Sequence, residues 1–429
     1  MALEGAFLNP TEGGGTANTK FLTSLQHPDY RKLWFANISG GAAHWALIVA
    51  RGWLVFQLTD SSTLVGLVTF AAMIPNFLIS PFAGLLADRI DRRRLLAWTF
   101  GINLAHNLLL AALAIAGLVQ IWHLVVLSLV NGSARAAQMP ASGSLLPNLV
   151  PRHHLINAIA LNAATMHGTR LLGPLMIAPL LATVGAEGAF VLSAGLYLLG
   201  LFQVFLIRTR STGVVQSESG VMENLLAGLH YVYHHHLLLP LILLIVAHCS
   251  LTMSFESLLP VLAKETLGVE GAGFSYMMMA VGAGALIAVM GLTRVQSDRV
   301  RGRLLLASGI VSGIGPVLLA LSPNLPLALI ASAGMGAAQG SFMTLFITIV
   351  QSIVPDAIRG RVTSINNLLI GGLMAAFNLM NGFLADTVGA PAILIVTGVV
   401  FLAILPLTLF SLNVRRLYAI DKPSMTPAT

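Results

Sequence analysis

Along most of this chain hydrophobic positions neither alternate with polar ones nor recur as a narrow helical stripe; they run in long blocks broken by short charged, Pro or Gly clusters. The blocks fall near 32–58, 62–87, 94–117, 120–147, 155–183 and 187–207, and a second six near 237–263, 272–293, 303–322, 325–353, 362–386 and 390–413. Each supplies the ~20 apolar residues that a helix needs to cross a hydrocarbon core. Twelve spanning helices are the expected content. They organise the chain into a flexible tail over 1–30, a six-helix half over 31–207, a linker over 208–236, a second half over 237–413 and a tail over 414–429. Within the linker, Glu223 to His236 reads as an amphipathic stretch suited to lie along a membrane surface.

Composition agrees with that pattern. Hydrophobic residues make up 56% of the 429 positions and charged ones 9%, where a soluble domain carries roughly 25% charged residues. A water-soluble fold is excluded. The single cysteine, Cys249, rules out an intrachain disulfide and a four-cysteine metal site. Residues 1–27 are polar and Gly-rich, without the basic start and apolar core of a signal peptide.

Charge placement changes the picture more than charge total. Of the 23 Lys and Arg residues, nineteen fall in the tails, the linker and the even-numbered breaks; only Lys264 falls on the opposite side, and Arg51, Arg135 and Arg170 lie inside spans. Cytoplasmic loops hold the excess of Lys and Arg, so both termini are expected in the cytoplasm and the number of spans is expected to be even. The net charge of +7 is then an orientation signal and needs no nucleic-acid partner.

The two sets of six are related. An ungapped shift of 204 residues lays Val150, Pro151, Asn162, Gly168 and the run Thr183 to Ala186 on identical residues in the second half, and it pairs His44 with His248. A shift of 210 matches Asp88, Arg89 and Arg93 to Asp298, Arg299 and Arg303. A repeat in the same orientation implies halves related by an axis along the membrane normal, with substrate bound between them near the midplane.

The break after the second span reads GLLADRIDRRR over 84–94, close to the G-x-L-A-D-R-x-G-R-R signature, and the chain resembles the major facilitator superfamily on that ground. In this motif Gly84 permits close helix packing, Asp88 accepts hydrogen bonds at a helix terminus, and Arg89, Arg92 and Arg93 are available as ionic latches between the halves. Asp91 stands where the family has its second glycine. RGWLVFQLTDS over 51–61, LPNLVP over 146–151 followed by Asn157 and Ala158, RLLGP over 170–174 and VPDAIRGR over 354–361 are similar to the branch of drug and siderophore exporters that includes the enterobactin exporter and macrolide efflux proteins, the transmembrane secretion effectors. Gly168, Gly173 and Pro174 resemble the antiporter motif of the fifth helix, and Arg135 with Gln138 matches part of a further motif in which the arginine faces the central cavity. The resemblance implies an all-α membrane protein of twelve transmembrane helices in two parallel six-helix halves, the major facilitator fold.

Ionisable residues at membrane depth are costly and usually face a partner or a watery cavity. Arg51, Arg135, Arg170 and Glu256 are the four here. Arg51 precedes Asp60 by nine residues and Glu256 precedes Lys264 by eight, which gives both a depth of ~12–13 Å at 1.5 Å per residue. Because the first and seventh helices face one another in the family fold, Arg51 and Glu256 are expected to pair in one transport state and part in another. Glu256, alone among carboxylates well inside a span, is the first candidate for a proton carrier. His44 and His248 are further candidates for titration or hydrogen bonding across the axis. Consecutive His234 to His236 do not share a helix face, so no metal site is expected there. Trp45, Trp53, Phe56 and the run Met277 to Met279 serve either an adaptable pocket or helix packing.

No nucleophile constellation, phosphate-binding loop or ATPase motif is evident, so the expectation is a non-enzyme that uses a gradient and needs no cofactor. The leading reading is a proton-coupled exporter of a drug, siderophore or metabolite, monomeric in the lipid of the cell inner membrane. Nutrient uptake, lysophospholipid translocation and a transport-silent receptor are the alternatives.

Overall fold

The computed structural model describes residues 22–209, 211, 221–295, 297–410, 414, 415 and 418, without side chains at 80–89, 221, 224, 225, 298, 356, 357, 409 and 410. Most of both expected tails and the first part of the linker lie outside the described residues, as do the side chains of Gly84, Asp88, Arg89 and Asp298.

The first half consists of α1 (Pro28–Thr59), α2 (Ser62–Arg89), α3 (Arg92–Ile115), α4 (Ile121–Leu145), α5 (Leu155–Thr183) and α6 (Ala186–Leu206). A connecting helix, α7 (Val221–His234), leads to the second half: α8 (Leu238–Leu251) with the short α9 (Leu259–Val261), then α10 (Gly271–Leu292), α11 (Asp298–Ala320), α12 (Leu325–Ile353), α13 (Asp356–Val388) and α14 (Ala390–Ile404). Counting α8 and α9 as one interrupted span gives twelve, with ends close to those read from hydropathy. By length and composition alone nine described helices are apolar enough to cross a membrane. Polar residues such as Asn131, Arg135 and Gln138 dilute α4, Asn162 and Arg170 dilute α5, and α8 stops at Leu251.

The neighbour pattern repeats between the halves. In the first, α1 packs on α5 and α6, α2 on α4, and α3 on α4 and α6; in the second, α8 packs on α13 and α14, α10 on α12, and α11 on α12 and α14. The halves meet along α2 with α13 and along α5 with α10, two contacts that exchange under the same two-fold relation. Equivalent turns use equivalent glycines: Gly185 and Gly389, 204 apart, take φ of 99° and 84° between the last two helices of each half, a region that only glycine enters readily.

Lipid offers no hydrophobic drive for helix association, so close van der Waals approach has to hold the bundle. Gly132 of α4 lies against the backbone carbonyl of Ala72, and Gly336 of α12 against that of Val281; a Cβ at either would overlap the oxygen. These two glycines are again 204 apart. Replacing Gly336 by Val should destabilise the protein by about 3 kcal/mol through overpacking, seen as a lower unfolding temperature in detergent. Gly334→Ala, where the added methyl meets nothing within 4 Å, should leave that temperature unchanged.

Helix α7 turns by 108° relative to α8 and so runs across the end of the bundle. It buries Val232 and sets Gly228 against Ile365 and Arg361 of α13, while Met222, Leu226, Leu229 and Tyr233 stay exposed. The helix covers most of the stretch from Glu223 to His236 that the sequence marks as amphipathic. Between α7 and α8 the His235 ring accepts the N–H groups of Leu237 and Leu238 at 3.3 and 3.2 Å. Burial, with His236 adjacent, holds its pKa below the ordinary histidine value, which favours the neutral ring that can accept.

Candidate functional site

The seventh span is unwound where its charge sits. Helix α8 ends at Leu251, and helical structure resumes at Leu259, continuing through a π-turn over Leu262–Thr266. Backbone groups freed inside a bilayer need other partners, and side chains from two neighbouring helices supply them. Gln339 of α12 donates to the Thr252 carbonyl at 2.7 Å, and Asn381 of α13 donates to the Ser254 carbonyl at 2.7 Å. Asn378 accepts the Ser257 N–H at 3.4 Å, and the Ser257 hydroxyl donates to the Asn378 carbonyl at 2.9 Å. Replacing Asn381 by Ala should leave a buried carbonyl unsatisfied and cost about 1–3 kcal/mol, measured as a fall in unfolding temperature. Asn381→Gln should recover part of it.

This segment presents Glu256, 8% exposed, to the first half. Its carboxylate lies within electrostatic reach of Arg170 on α5 and, more weakly, Arg51 on α1, with no direct ion pair to either. Arg170 stacks over the Trp45 ring at 4.8 Å. Arg51 is buried and lies within electrostatic reach of His44, His106 and Tyr197, as Arg135 of α4 does of His44 and Tyr197. Asn131 donates to Asn103 at 2.7 Å beside them. Several groups of this cluster have no hydrogen-bond partner among the described residues: one guanidinium nitrogen each of Arg51 and Arg170, Nδ1 of His44 and both ring nitrogens of His106. Buried polar atoms are normally satisfied, so this cluster concentrates hydrogen-bonding capacity that the protein's described residues leave unused.

The structure thus brings Arg51, Arg135, Arg170, His44 and Glu256 into one neighbourhood and leaves His248 out of it. His248 is fully buried inside the second half, hydrogen-bonded with the Thr252 hydroxyl at 3.0 Å and packed on Phe342 and Phe401. The two repeat-related histidines have taken different environments, one beside arginines and one in aromatic packing.

Two arginines of the gate signature have described hydrogen bonds. Arg92 donates to the Ser144 carbonyl and the Ser211 hydroxyl at 3.0 and 3.1 Å, and Arg93 to the Ile207 carbonyl at 2.6 Å. Those bonds hold the start of α3 to the C-terminal ends of α4 and α6, where cations are favoured, and to the linker. Asp91 does the work of the missing glycine by another route: at φ −55° it caps α3, accepting the Arg93 N–H. Arg299 and Arg303 stand exposed in the first two turns of α11.

In the fifth-helix motif, Gly173 lies against the Ala42 backbone and Trp45, and the Pro174 carbonyl accepts the Ser275 hydroxyl of α10 at 2.7 Å. Gly168 has no such neighbour. Trp53 packs on Gly271, and Met277 and Met278 are core residues. At the arginine-poor face Lys264 pairs with Asp60 and lies over the Phe56 ring at 5.4 Å. Asn157 and Ala158 of the branch motif accept from Ser24 and Tyr30, fixing the start of α1 to α5. No metal-ligand cluster occurs among the described residues.

The comparisons with known proteins bear on this arrangement. A family model of transmembrane secretion effectors, within the major facilitator superfamily, matches residues 19–428. The chain belongs to that family. The multidrug efflux pump Tap of Mycolicibacterium fortuitum is 24% identical over 401 residues, covering 91% of this chain and 97% of that protein. The staphyloferrin A transporter of Staphylococcus aureus is 22% identical over 253 residues, 59% of this chain and 64% of that protein. Among solved structures, the nucleoside transporter NupG superposes with a TM-score of 0.71 at 11% identity, covering 88% of this chain and 98% of that one, a likeness of fold. This member of the family is therefore a multi-pass membrane transporter of the major facilitator type.

The interruption of the seventh span, its supports Gln339, Asn378 and Asn381, and the buried His106, Asn103 and Asn131 were not singled out in the sequence. Amides and a histidine in the middle of hydrophobic blocks were the available signal.

Proposed function

We propose that the protein is a proton-coupled exporter of small organic molecules, working by alternating access between its halves, in a bacterial cytoplasmic membrane with its arginine-rich face inward. The observation that carries this reading is the placement of Glu256. It is the carboxylate at membrane depth, it sits on an unwound segment, and it faces two arginines of the opposite half. A carboxyl group beside a guanidinium favours its ionised form, and the same group moved into an apolar setting favours its protonated form. Rocking of one half against the other changes that distance, and so couples proton binding to conformation. The efflux pump among its relatives supports the outward direction. Three membrane arginines against one glutamate favour cargo with an anionic or acidic group.

The test is accumulation of a fluorescent drug and of a carboxylate siderophore in cells lacking or overproducing the protein. Lower accumulation on overproduction, abolished by a protonophore, is the expected result. Lower accumulation that survives the protonophore would overturn proton coupling, and higher accumulation would overturn export.

A further inference from the structure

Helices α2 and α13 run antiparallel in contact, one from each half, and at the arginine-poor face the last turn of α13 meets the first turn of α2. There Asp386 accepts the backbone N–H of Ser62 at 2.6 Å, the N–H of Thr63 at 3.0 Å and the Ser61 hydroxyl at 2.7 Å. Those N–H groups belong to the start of α2, where helical geometry offers no internal acceptor. A carboxylate at that end also meets the positive pole of the helix dipole. The cap therefore comes from the other half of the molecule. One turn earlier, Gly382 lies directly on the Ser62 carbonyl, and Gly66 of α2 lies on the Asn378 carbonyl, so the two backbones touch.

The residues involved spell a motif. Residues 382–386 read GFLAD, and residues 84–88, which open the gate signature, read GLLAD. Each copy closes the C-terminal turns of its helix, one in α13 and one in α2, and because those helices are antiparallel partners the copies lie at opposite faces. Glycine for backbone approach, followed four residues later by an aspartate for a helix terminus, is the combination used at the arginine-poor face.

We propose that Gly382 and Asp386 form a second gate motif, a latch that holds the arginine-poor face closed by capping α2 from the opposite half, and that release of Asp386 is part of opening that face. Asp386 is a positioning residue for transport: it touches neither cargo nor the charged cluster. Its hydrogen bonds join bodies that separate when the face opens, so they weight the closed form specifically. This inference rests on the alternating-access reading, with the arginine-poor face outward, and its test does not require cargo or a proton gradient.

The test uses the full chain in membranes with Cys249 replaced by Ala and a reporter cysteine at one of two sites. Ser275, fully buried at the α5 and α10 contact near the latch face, reports opening there. Ala163 lies on the same face of α5 as His167, Arg170 and Pro174 but toward the arginine-rich end, and is exposed; it reports closure there. Asp386→Ala should raise the labelling rate of S275C by an impermeant maleimide about tenfold, the scale of a lost multidentate latch, and should lower that of A163C. Asp386→Glu should stay near the parent. If Asp386→Ala fails to fold, Ser61→Ala removes one bond and should give a smaller change in the same direction. Unchanged S275C labelling, or labelling that rises at both sites together, would overturn the latch; normal protonophore-sensitive export in the same membranes would show that the transport reading stands without it.

Discussion

Glutamine at position 256 should lower pH-gradient-driven flux by at least ~100-fold, a loss of about 2.7 kcal/mol at 1.36 kcal/mol per tenfold, while leaving counterflow exchange within about threefold of the parent. Glutamine keeps the length and hydrogen-bonding reach of the side chain but has no proton to exchange, so cargo movement and gradient use should come apart. The unwound segment makes this substitution informative. Its backbone is held by Gln339, Asn378 and Asn381, none of which bonds to the Glu256 carboxylate, so Glu256→Gln should not disturb the fold, and an unchanged unfolding temperature is the control. Flux equal to the parent would move the coupling site elsewhere.

Exchange of charges between α1 and the seventh span is the second large effect. Arg51→Glu and Glu256→Arg should each reduce transport to below about a tenth, since an uncompensated charge at membrane depth costs several kcal/mol. The double exchange should recover several-fold over either single variant. Arg170, which faces Glu256 more strongly than Arg51 does in this structure, remains in place in the double variant, so the site keeps its total charge. The measurement is initial efflux rate at matched membrane abundance. A double variant no better than the singles would mean that Arg51 and Glu256 never meet in the cycle.

Much of the architecture was legible because it depends on local composition. A block of apolar residues announces a span wherever its neighbours lie, and the bias of Lys and Arg and the recurrence of the Thr183 to Ala186 turn at 387–390 are equally local. The interruption of the seventh span was not legible for the opposite reason. Thr252, Ser254, Glu256 and Ser257 lower the hydropathy only briefly between apolar flanks that read as one span, and the side chains that make an unwound backbone tolerable come from Gln339, Asn378 and Asn381, more than 80 residues away. The charged cluster was half legible. Arg51, Arg135, Arg170 and Glu256 stand out as charges in an apolar background, whereas His248 looks identical to His44 in sequence and differs only through Phe342 and Phe401 packed around it. Arg92 and Arg93 stand out as charges in a cytoplasmic break, but their bonds to Ser144, Ile207 and Ser211 depend on where α4, α6 and the linker end in space. Asp386 is not legible because two of its three partners are backbone N–H groups, which every sequence contains, and the third is a serine hydroxyl 325 residues away.

The ion pair between Asp60 and Lys264 joins positions separated by the repeat interval of 204 residues. In a symmetric dimer of identical subunits, residues that meet on the two-fold axis meet their own copies, and aspartate would face aspartate or lysine would face lysine. Opposite signs at one symmetric position are open only to two copies that differ in sequence, as the two halves of this chain do. This contact is therefore one that exact internal symmetry would forbid: divergence of the two halves makes an attractive seam where identical copies would set like against like.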